Sequence, residues 1–91
     1  MKTYSVYILK CSDGTYYTDF TSNLEAKIEL HQSGKREDLY TFDRRPVNLV
    51  FTSEFNIPTF AIAAKKQIKR WSKTKKEALI NGEFKMLSQL T

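Results

Sequence analysis

The chain has 91 residues, of which 41% are apolar and 27% are charged, so it has material for one small globular domain and excludes a second core. Cys11 is the single cysteine and His31 the single histidine, which excludes an intramolecular disulfide, a cysteine-based zinc cluster and a histidine-rich metal site. Fifteen lysines and arginines against ten acidic residues give a net charge of +5, which favours polyanionic partners.

The sequence predicts no membrane association. No run approaches the ~20 apolar residues that a bilayer-spanning helix needs, and the first residues enter a strand-like pattern without an apolar signal segment. We therefore expect a cytoplasmic protein. Its single domain is expected over residues 1–82, with a C-terminal tail over residues 83–91 that is part of the same domain or loosely packed.

A β-hairpin is the first predicted element. Residues 3–10 alternate tyrosines with aliphatic side chains, and residues 15–20 are aromatic and β-branched. A three-residue loop with Gly14 in the left-handed conformation places Asp19 opposite Tyr7, whereas a two-residue loop would separate the tyrosines. With the longer loop, one face carries Tyr7, Leu9, Tyr17 and Asp19, and the face expected to meet the core carries Val6, Ile8, Tyr16 and Phe20.

A helix follows the hairpin. Ser22 or Asn23 can cap its beginning, and Gly34 is its expected end. Lys27 and His31 are four residues apart and therefore lie on one edge of this helix. We expect that edge to present a Lys–His pair.

The rest of the chain predicts a loop, a strand and two helices. Residues 35–46 are charged and irregular, which predicts a loop, and residues 47–55 favour a strand. A proline suits the start of a helix over residues 58–72. A further short helix is expected through residue 80. The order strand, strand, helix, strand, helix, helix predicts an α+β domain in which helices pack on a small three-stranded sheet.

A basic stripe runs along the last two helices. Seven cations occur within twelve residues with no acidic residue between them. They are Lys65, Lys66, Lys69, Arg70, Lys73, Lys75 and Lys76. Four of these, here called the four-cation ridge, are expected to face solvent together: Lys66, Lys69, Arg70 and Lys73. Arg44, Arg45, Lys35 and Arg36 are candidates to extend the ridge. The stripe fits either a well-solvated helix or phosphate binding, and the lack of interleaved glutamate favours phosphate.

Several spaced motifs resemble the GIY-YIG nuclease family. They are Ser5-Val6-Tyr7, Tyr17-Thr18-Asp19, residues 21–25, His31, Arg44-Arg45-Pro46-Val47 and residues 67–72. The chain is similar to the short, single-domain bacterial subfamily, which is related to the nuclease domain of excision-repair endonucleases, over about residues 4–82. The resemblance implies a central three-stranded antiparallel sheet flanked by helices, and DNA cleavage that depends on Mg²⁺ or Mn²⁺.

The resemblance also implies roles for individual residues. Tyr7 takes the place of the tyrosine that positions or deprotonates the attacking water, Tyr17 takes the second tyrosine position, and His31 fits a histidine or tyrosine often found there. Three other positions depart from the family pattern. Asp19 stands where glycine is expected, Lys27 where an arginine should stabilise the phosphate, and Lys65 where a glutamate should hold the metal.

These departures predict a GIY-YIG protein that binds DNA, or RNA as the alternative, and whose hydrolysis is impaired or lost. One alternative is an active endonuclease with a rearranged site. There Tyr7 would handle the water, Tyr17 and Lys27 would steady the phosphate, His31 would carry a proton and Asp19 would help to hold a Mg²⁺ or Mn²⁺ ion. The other alternative is a non-catalytic scaffold or interaction protein.

Overall fold

The computed structural model describes residues 2–83 of the chain. Three antiparallel strands form one sheet with the order β2-β1-β3. The elements are β1 (Tyr4–Lys10), β2 (Tyr16–Thr21), α1 (Leu24–Ser33), a 3₁₀ turn (Phe42–Arg44), β3 (Asn48–Phe55), α2 (Pro58–Arg70) and α3 (Lys73–Ile80). This architecture confirms the predicted α+β fold. The predicted tail lies outside the described residues from position 84 onward.

The hairpin has the register that the three-residue loop predicts. Tyr7 pairs with Asp19 and Leu9 with Tyr17 across β1 and β2. The loop is closed because the backbone N–H of Cys11 donates to the Thr15 carbonyl at 2.8 Å, and Gly14 has a φ of 85°. Glycine suits this position because the left-handed region is costly for residues with a Cβ.

The central strand β1 is buried on both faces. Val6 and Ile8 pack with Ala61 and Ile68 of α2, on the face expected to form the core. Tyr7 and Leu9, on the opposite face, are also fully buried, in a second cluster that includes Val47 and side chains of α1. The prediction of a core on one face only was therefore incomplete. Each large side chain buried in this way contributes roughly 1.5–3 kcal/mol.

Helix α1 supplies the cover for this second face. Its N-cap is Asn23, whose side-chain oxygen accepts the backbone N–H of Ala26 at 3.2 Å, and Gly34 ends it with a φ of 68°. The helix turns His31 inward, and only 1% of this residue is exposed. The edge predicted to present a Lys–His pair therefore carries a buried histidine, while Lys27 is half-buried.

Helices α2 and α3 cover the first face. Pro58 begins α2, and the predicted stripe buries Ala61 and Ile68 against the sheet. The Ser72 side chain caps α3 by accepting the backbone N–H of Lys75 at 3.2 Å, so α2 ends two residues earlier than predicted. Within residues 2–83, no helix combines the length and apolar character required to cross a membrane.

Candidate functional site

A buried chain of polar groups links β1, α1 and the following loop. The Tyr7 hydroxyl lies 3.2 Å from Nε2 of His31, and Nδ1 of His31 lies 2.6 Å from Oγ1 of Thr41. Exposure is 0% for Tyr7 and Thr41 and 1% for His31. Burial raises the pKa of Tyr7 far above its ordinary value, and the charge of Asp19 adds to the shift. Tyr7 is therefore a neutral phenol in the folded protein.

His31 is held in its neutral form. Burial lowers its pKa, and the nearby charge of Lys27 lowers it further, while Asp19 acts in the opposite direction. Within the described part of the chain, Nε2 of His31 is the acceptor available to the Tyr7 hydroxyl. A Tyr7 hydroxyl that donates to Nε2 requires the ring proton on Nδ1, where Oγ1 of Thr41 is the neighbouring acceptor.

Tyr17 and Asp19 form the outer part of the site. The Tyr17 hydroxyl donates to Oδ2 of Asp19 at 2.8 Å, and the backbone N–H of Phe20 donates to Oδ1 at the same distance. Burial and this bond to Asp19 raise the pKa of Tyr17. The Tyr17 ring centre lies 6.5 Å from that of Tyr7 and 5.0 Å from that of His31. The structure thus brings both tyrosines and the histidine together.

Two lysines of α2 reach the same site around the edge strand β2. Nζ of Lys65 lies 3.9 Å from Oδ1 of Asp19, and these side chains are 19% and 25% exposed. Nζ of Lys69 lies 5.6 Å from the centre of the Tyr17 ring. The long lysine side chains therefore carry positive charge from α2 to the Tyr17–Asp19 face.

The residues present do not fit the divalent metal that the resemblance implies. Both oxygens of Asp19 already accept hydrogen bonds, and the Lys65 ammonium lies beside one of them. At about 4 Å and an effective dielectric of 20, a divalent ion and an ammonium repel by about 8 kcal/mol. Among residues 2–83 there is no group of three or more histidine, cysteine, aspartate or glutamate residues that could hold a metal.

The loop before β3 contributes residues that sequence reasoning missed. Tyr40 stacks on Tyr17 with ring centres 5.7 Å apart and an interplanar angle of 19°. Its hydroxyl donates to Oγ1 of Thr15 at 3.1 Å, and the Arg44 guanidinium lies 4.0 Å from its ring centre. The signal in the sequence was the cluster Tyr40-Thr41-Phe42 within an otherwise charged loop. Because the loop has no hydrophobic periodicity, the sequence does not indicate which residues these side chains contact.

The two arginines of this loop point to different neighbours. Nε of Arg44 lies 3.1 Å from Oδ2 of Asp13 in the hairpin loop. Arg45 packs over the Phe42 ring, 5.2 Å from its centre, and its guanidinium lies beside Gly34 at the end of α1. Arg45 therefore lies at the end of α1, and the prediction that it extends the ridge is not supported by its contacts. Lys35 and Arg36 directly follow α1, which packs on the opposite face of the sheet from α2.

The four-cation ridge is exposed along α2 and the start of α3. Within the described part of the chain, none of its members has a carboxylate within 4 Å, because the ion pairs there involve Arg36, Arg44 and Lys65. The basic stripe as a whole is less uniform than predicted. Lys75 is only 8% exposed and lies 4.4 Å from the centre of the Trp71 ring.

Beside the ridge, a groove separates α3 from the hairpin loop. It has a volume of about 270 Å³ and is lined by Asp13, Gly14, Thr15, Tyr16, Lys73 and Lys76. Partial burial and the charge of Lys69 lower the pKa of Lys76. Positive charge from Lys73 and Lys76 therefore continues from the ridge into this groove, where the Asp13 carboxylate also lies.

Comparison with known proteins agrees with this fold. Residues 3–78 match the GIY-YIG catalytic domain. The UPF0213 protein of Natronomonas pharaonis is 40% identical over 78 residues, covering 86% of this chain and 91% of the relative. The UPF0213 protein of Staphylococcus haemolyticus is 40% identical over 80 residues, covering 88% of this chain and 96% of the relative. The chain therefore belongs to the GIY-YIG family, and its relatives are small UPF0213 proteins.

Solved structures give the same result. The solution NMR structure of a UPF0213 protein from Bacillus halodurans is 38% identical and superposes with a TM-score of 0.57, covering 87% of this chain and 83% of the other. The solution NMR structure of a protein from E. faecalis is 26% identical, with a TM-score of 0.64 and coverage of 92% and 88%. The predicted family and fold are confirmed.

Proposed function

We propose that this GIY-YIG protein binds nucleic acid, with DNA as the expected ligand, through the four-cation ridge, and that its phosphodiester hydrolysis is impaired or lost. The observation that carries the proposal is the exposure of four neighbouring cations with no carboxylate of residues 2–83 within 4 Å of any of them. A cytoplasmic location and a role in DNA repair belong to the same proposal.

Phosphate is the ligand that such a surface favours. Cations that contact backbone phosphates release condensed counterions, so binding weakens as salt increases. If all four ridge cations contact phosphates of duplex DNA, the logarithm of the association constant falls with the logarithm of salt with a slope of about −3.6. Contacts of this kind carry no sequence information, so we expect weak discrimination between DNA sequences.

The chemistry around Tyr7 supports impaired hydrolysis. Its hydroxyl is enclosed behind His31, and its raised pKa opposes formation of the phenolate that would take a proton from water. Lys65 is a second obstacle to hydrolysis. Its ammonium lies 3.9 Å from Oδ1 of Asp19, where it would repel a divalent cation held by that carboxylate. The roles of Tyr7, Tyr17, Lys27, His31 and Asp19 in hydrolysis stay predictions from the resemblance.

The proposal is tested by measuring the affinity for a short duplex DNA over a range of salt concentrations by fluorescence anisotropy. Substitution of Lys66, Lys69, Arg70 and Lys73 by glutamine should weaken binding by about two orders of magnitude at low salt and bring the salt slope close to zero. The same titration with duplex RNA determines which nucleic acid is preferred.

A matched control separates position from net charge. Substitution of Lys2, Lys10, Lys35 and Arg36 by glutamine removes the same charge from exposed positions outside α2 and α3. This variant should lose only a few-fold in affinity, on the order expected for long-range attraction. Equal losses in the two variants, or unchanged binding in the ridge variant, would overturn the proposal.

A further inference from the structure

Three lysines from two helices bring positive charge to the side of the sheet that carries Tyr17, Asp19 and His31. Lys65 and Lys69 come from α2, at 3.9 Å from the Asp19 carboxylate and 5.6 Å from the Tyr17 ring centre. Lys27 comes from α1, one turn before His31, and its charge is close enough to affect the pKa of that histidine. The site therefore combines positive charge from three lysines with the Tyr17 and His31 rings, whose centres are 5.0 Å apart, and Lys65 also lies over the Phe20 ring, 5.3 Å from its centre.

The negative charge here does not balance these cations. Within the described residues, Asp19 is the one carboxylate that lies within 4 Å of any of the three ammonium groups. Three positive charges against one negative charge leave an excess of two. This excess favours an anionic ligand, because a phosphodiester of nucleic acid carries one negative charge and a terminal phosphate carries nearly two near neutral pH.

Lys65 retains the capacity to donate. Its distance of 3.9 Å from Oδ1 of Asp19 is an ion pair but too long for a hydrogen bond, so its N–H groups are not used by that carboxylate. Oδ1 is instead used by the backbone N–H of Phe20, and Oδ2 by Tyr17. Because the Lys65 side chain is only 19% exposed, its charge acts in a medium of lower dielectric than bulk water.

We infer that Lys65 takes the place of a divalent cation, so that the Asp19–Lys65 pair, with Lys27 and Lys69, forms a metal-independent binding site for a phosphate group of nucleic acid. Asp19 orients the site by holding Tyr17 and by keeping Lys65 in position. The inference rests on the proposed function for the source of the phosphate, but the site is separate from the exposed ridge members Lys66, Arg70 and Lys73.

The test uses thymidine 3′,5′-bisphosphate, a ligand small enough to occupy this site without lying along the ridge. Binding is followed through the NMR amide shifts of Tyr17, Asp19 and Lys65, first with EDTA and then with magnesium. We expect the same dissociation constant in both buffers. Lys65→Gln should weaken binding by about tenfold or more, the usual range for a hydrogen bond to a charged group.

Lys10→Gln is the matched control because it removes the same charge from an exposed residue at the end of β1, outside the ridge and the proposed site. It should change the affinity less than threefold. Lys65→Arg should keep most of the binding, and Lys69→Gln, at an exposed position, gives a second measure of the same site that does not depend on the folding of the Lys65 variants.

Manganese supplies a readout independent of phosphate. We expect no selective paramagnetic broadening of the Asp19 and Tyr17 amides in the unsubstituted protein, and clear broadening in Lys65→Glu, where a second carboxylate accompanies Asp19. Affinity that requires magnesium, selective broadening in the unsubstituted protein, or equal losses in Lys65→Gln and Lys10→Gln would overturn the inference. If the bisphosphate binds as expected while the ridge variant keeps its duplex affinity, only the proposed function fails.

Discussion

The Tyr7 hydroxyl lies 3.2 Å from Nε2 of His31, across the layer between the central strand and α1. Both residues are almost fully buried, and the histidine is fixed on its other side by Thr41. The tyrosine that the family resemblance assigns to catalysis is thus also part of the hydrogen-bonded core.

This pair predicts a stability loss for Tyr7→Phe. Removal of the hydroxyl leaves Nε2 of His31 buried without its partner, which costs about 1–3 kcal/mol. The free energy of unfolding measured by urea denaturation should fall by that amount. Tyr40→Phe removes the same atom from a residue that is 42% exposed and should change stability by less than about 0.5 kcal/mol. Equal losses in the two variants would contradict a structural role for the Tyr7 hydroxyl.

His31 makes stability depend on pH near neutrality. Burial and Lys27 lower its pKa in the folded protein below the ordinary value of 6.5, so between these two values the unfolded chain binds more protons. Stability should therefore fall as the pH decreases through about 6.5, and this contribution should level off below the folded pKa, where both states are protonated. Urea midpoints measured at several pH values from about 7.5 to 5.5 should show the decrease. His31→Gln should remove it, and a pH-independent midpoint in the unsubstituted protein would refute the prediction.

Nicking of supercoiled plasmid tests the loss of hydrolysis. The unsubstituted protein with magnesium should nick no faster than buffer. The combined substitution Lys27→Arg and Lys65→Glu should gain magnesium-dependent nicking. Arginine supplies a planar guanidinium that can bind two phosphate oxygens, and glutamate supplies a second carboxylate beside Asp19. Lys10→Arg with Lys2→Glu has the same charge change at exposed positions outside the ridge and the site, and it should gain nothing. Robust magnesium-dependent nicking by the unsubstituted protein that Asp19→Ala abolishes would instead favour the active alternative.

Gly34 and Gly82 provide a matched pair for the helix ends. Their φ angles are 68° and 73°, so alanine at either position is strained by about 1–2 kcal/mol. A Cβ at Gly34 would in addition meet the Arg45 guanidinium, whereas a Cβ at Gly82 meets no atom of residues 2–83 within 4 Å. Gly34→Ala should therefore destabilise the protein more than Gly82→Ala in urea denaturation. Arg45→Ala should reduce the difference, and equal losses without that substitution would disprove the contact.

The hairpin could be predicted, with two possible registers, because pairing across a short turn is a local property. A three-residue loop of Ser12, Asp13 and Gly14 places Asp19 opposite Tyr7, and the structure has this register rather than that of a two-residue loop. The same holds for Gly34 at the end of α1, since the left-handed conformation is required within a single turn.

The burial of Tyr7 could not be predicted, because it depends on contacts between distant segments. His31 is 24 residues from Tyr7, and Thr41 is a further ten residues along, in a loop without hydrophobic periodicity. The resemblance placed Lys65 near the site, yet its ion pair with Asp19 depends on a side chain reaching around the edge of β2. The charge of a residue and its position in the sequence do not specify the route that its side chain takes in the folded protein.

The stacking of Tyr40 on Tyr17 has a kinetic consequence. This stacking holds the loop before β3 over the second face of the sheet. The Thr41–His31 contact and the two hydrogen bonds between Gln32 and the Val47 backbone hold it there as well. Because Tyr7 is fully buried, a reactant reaches its hydroxyl only after these contacts open. The rate at which this loop opens is therefore the upper limit on the rate of any reaction at the Tyr7 hydroxyl. This limit applies to the unsubstituted protein and to a reactivated variant alike.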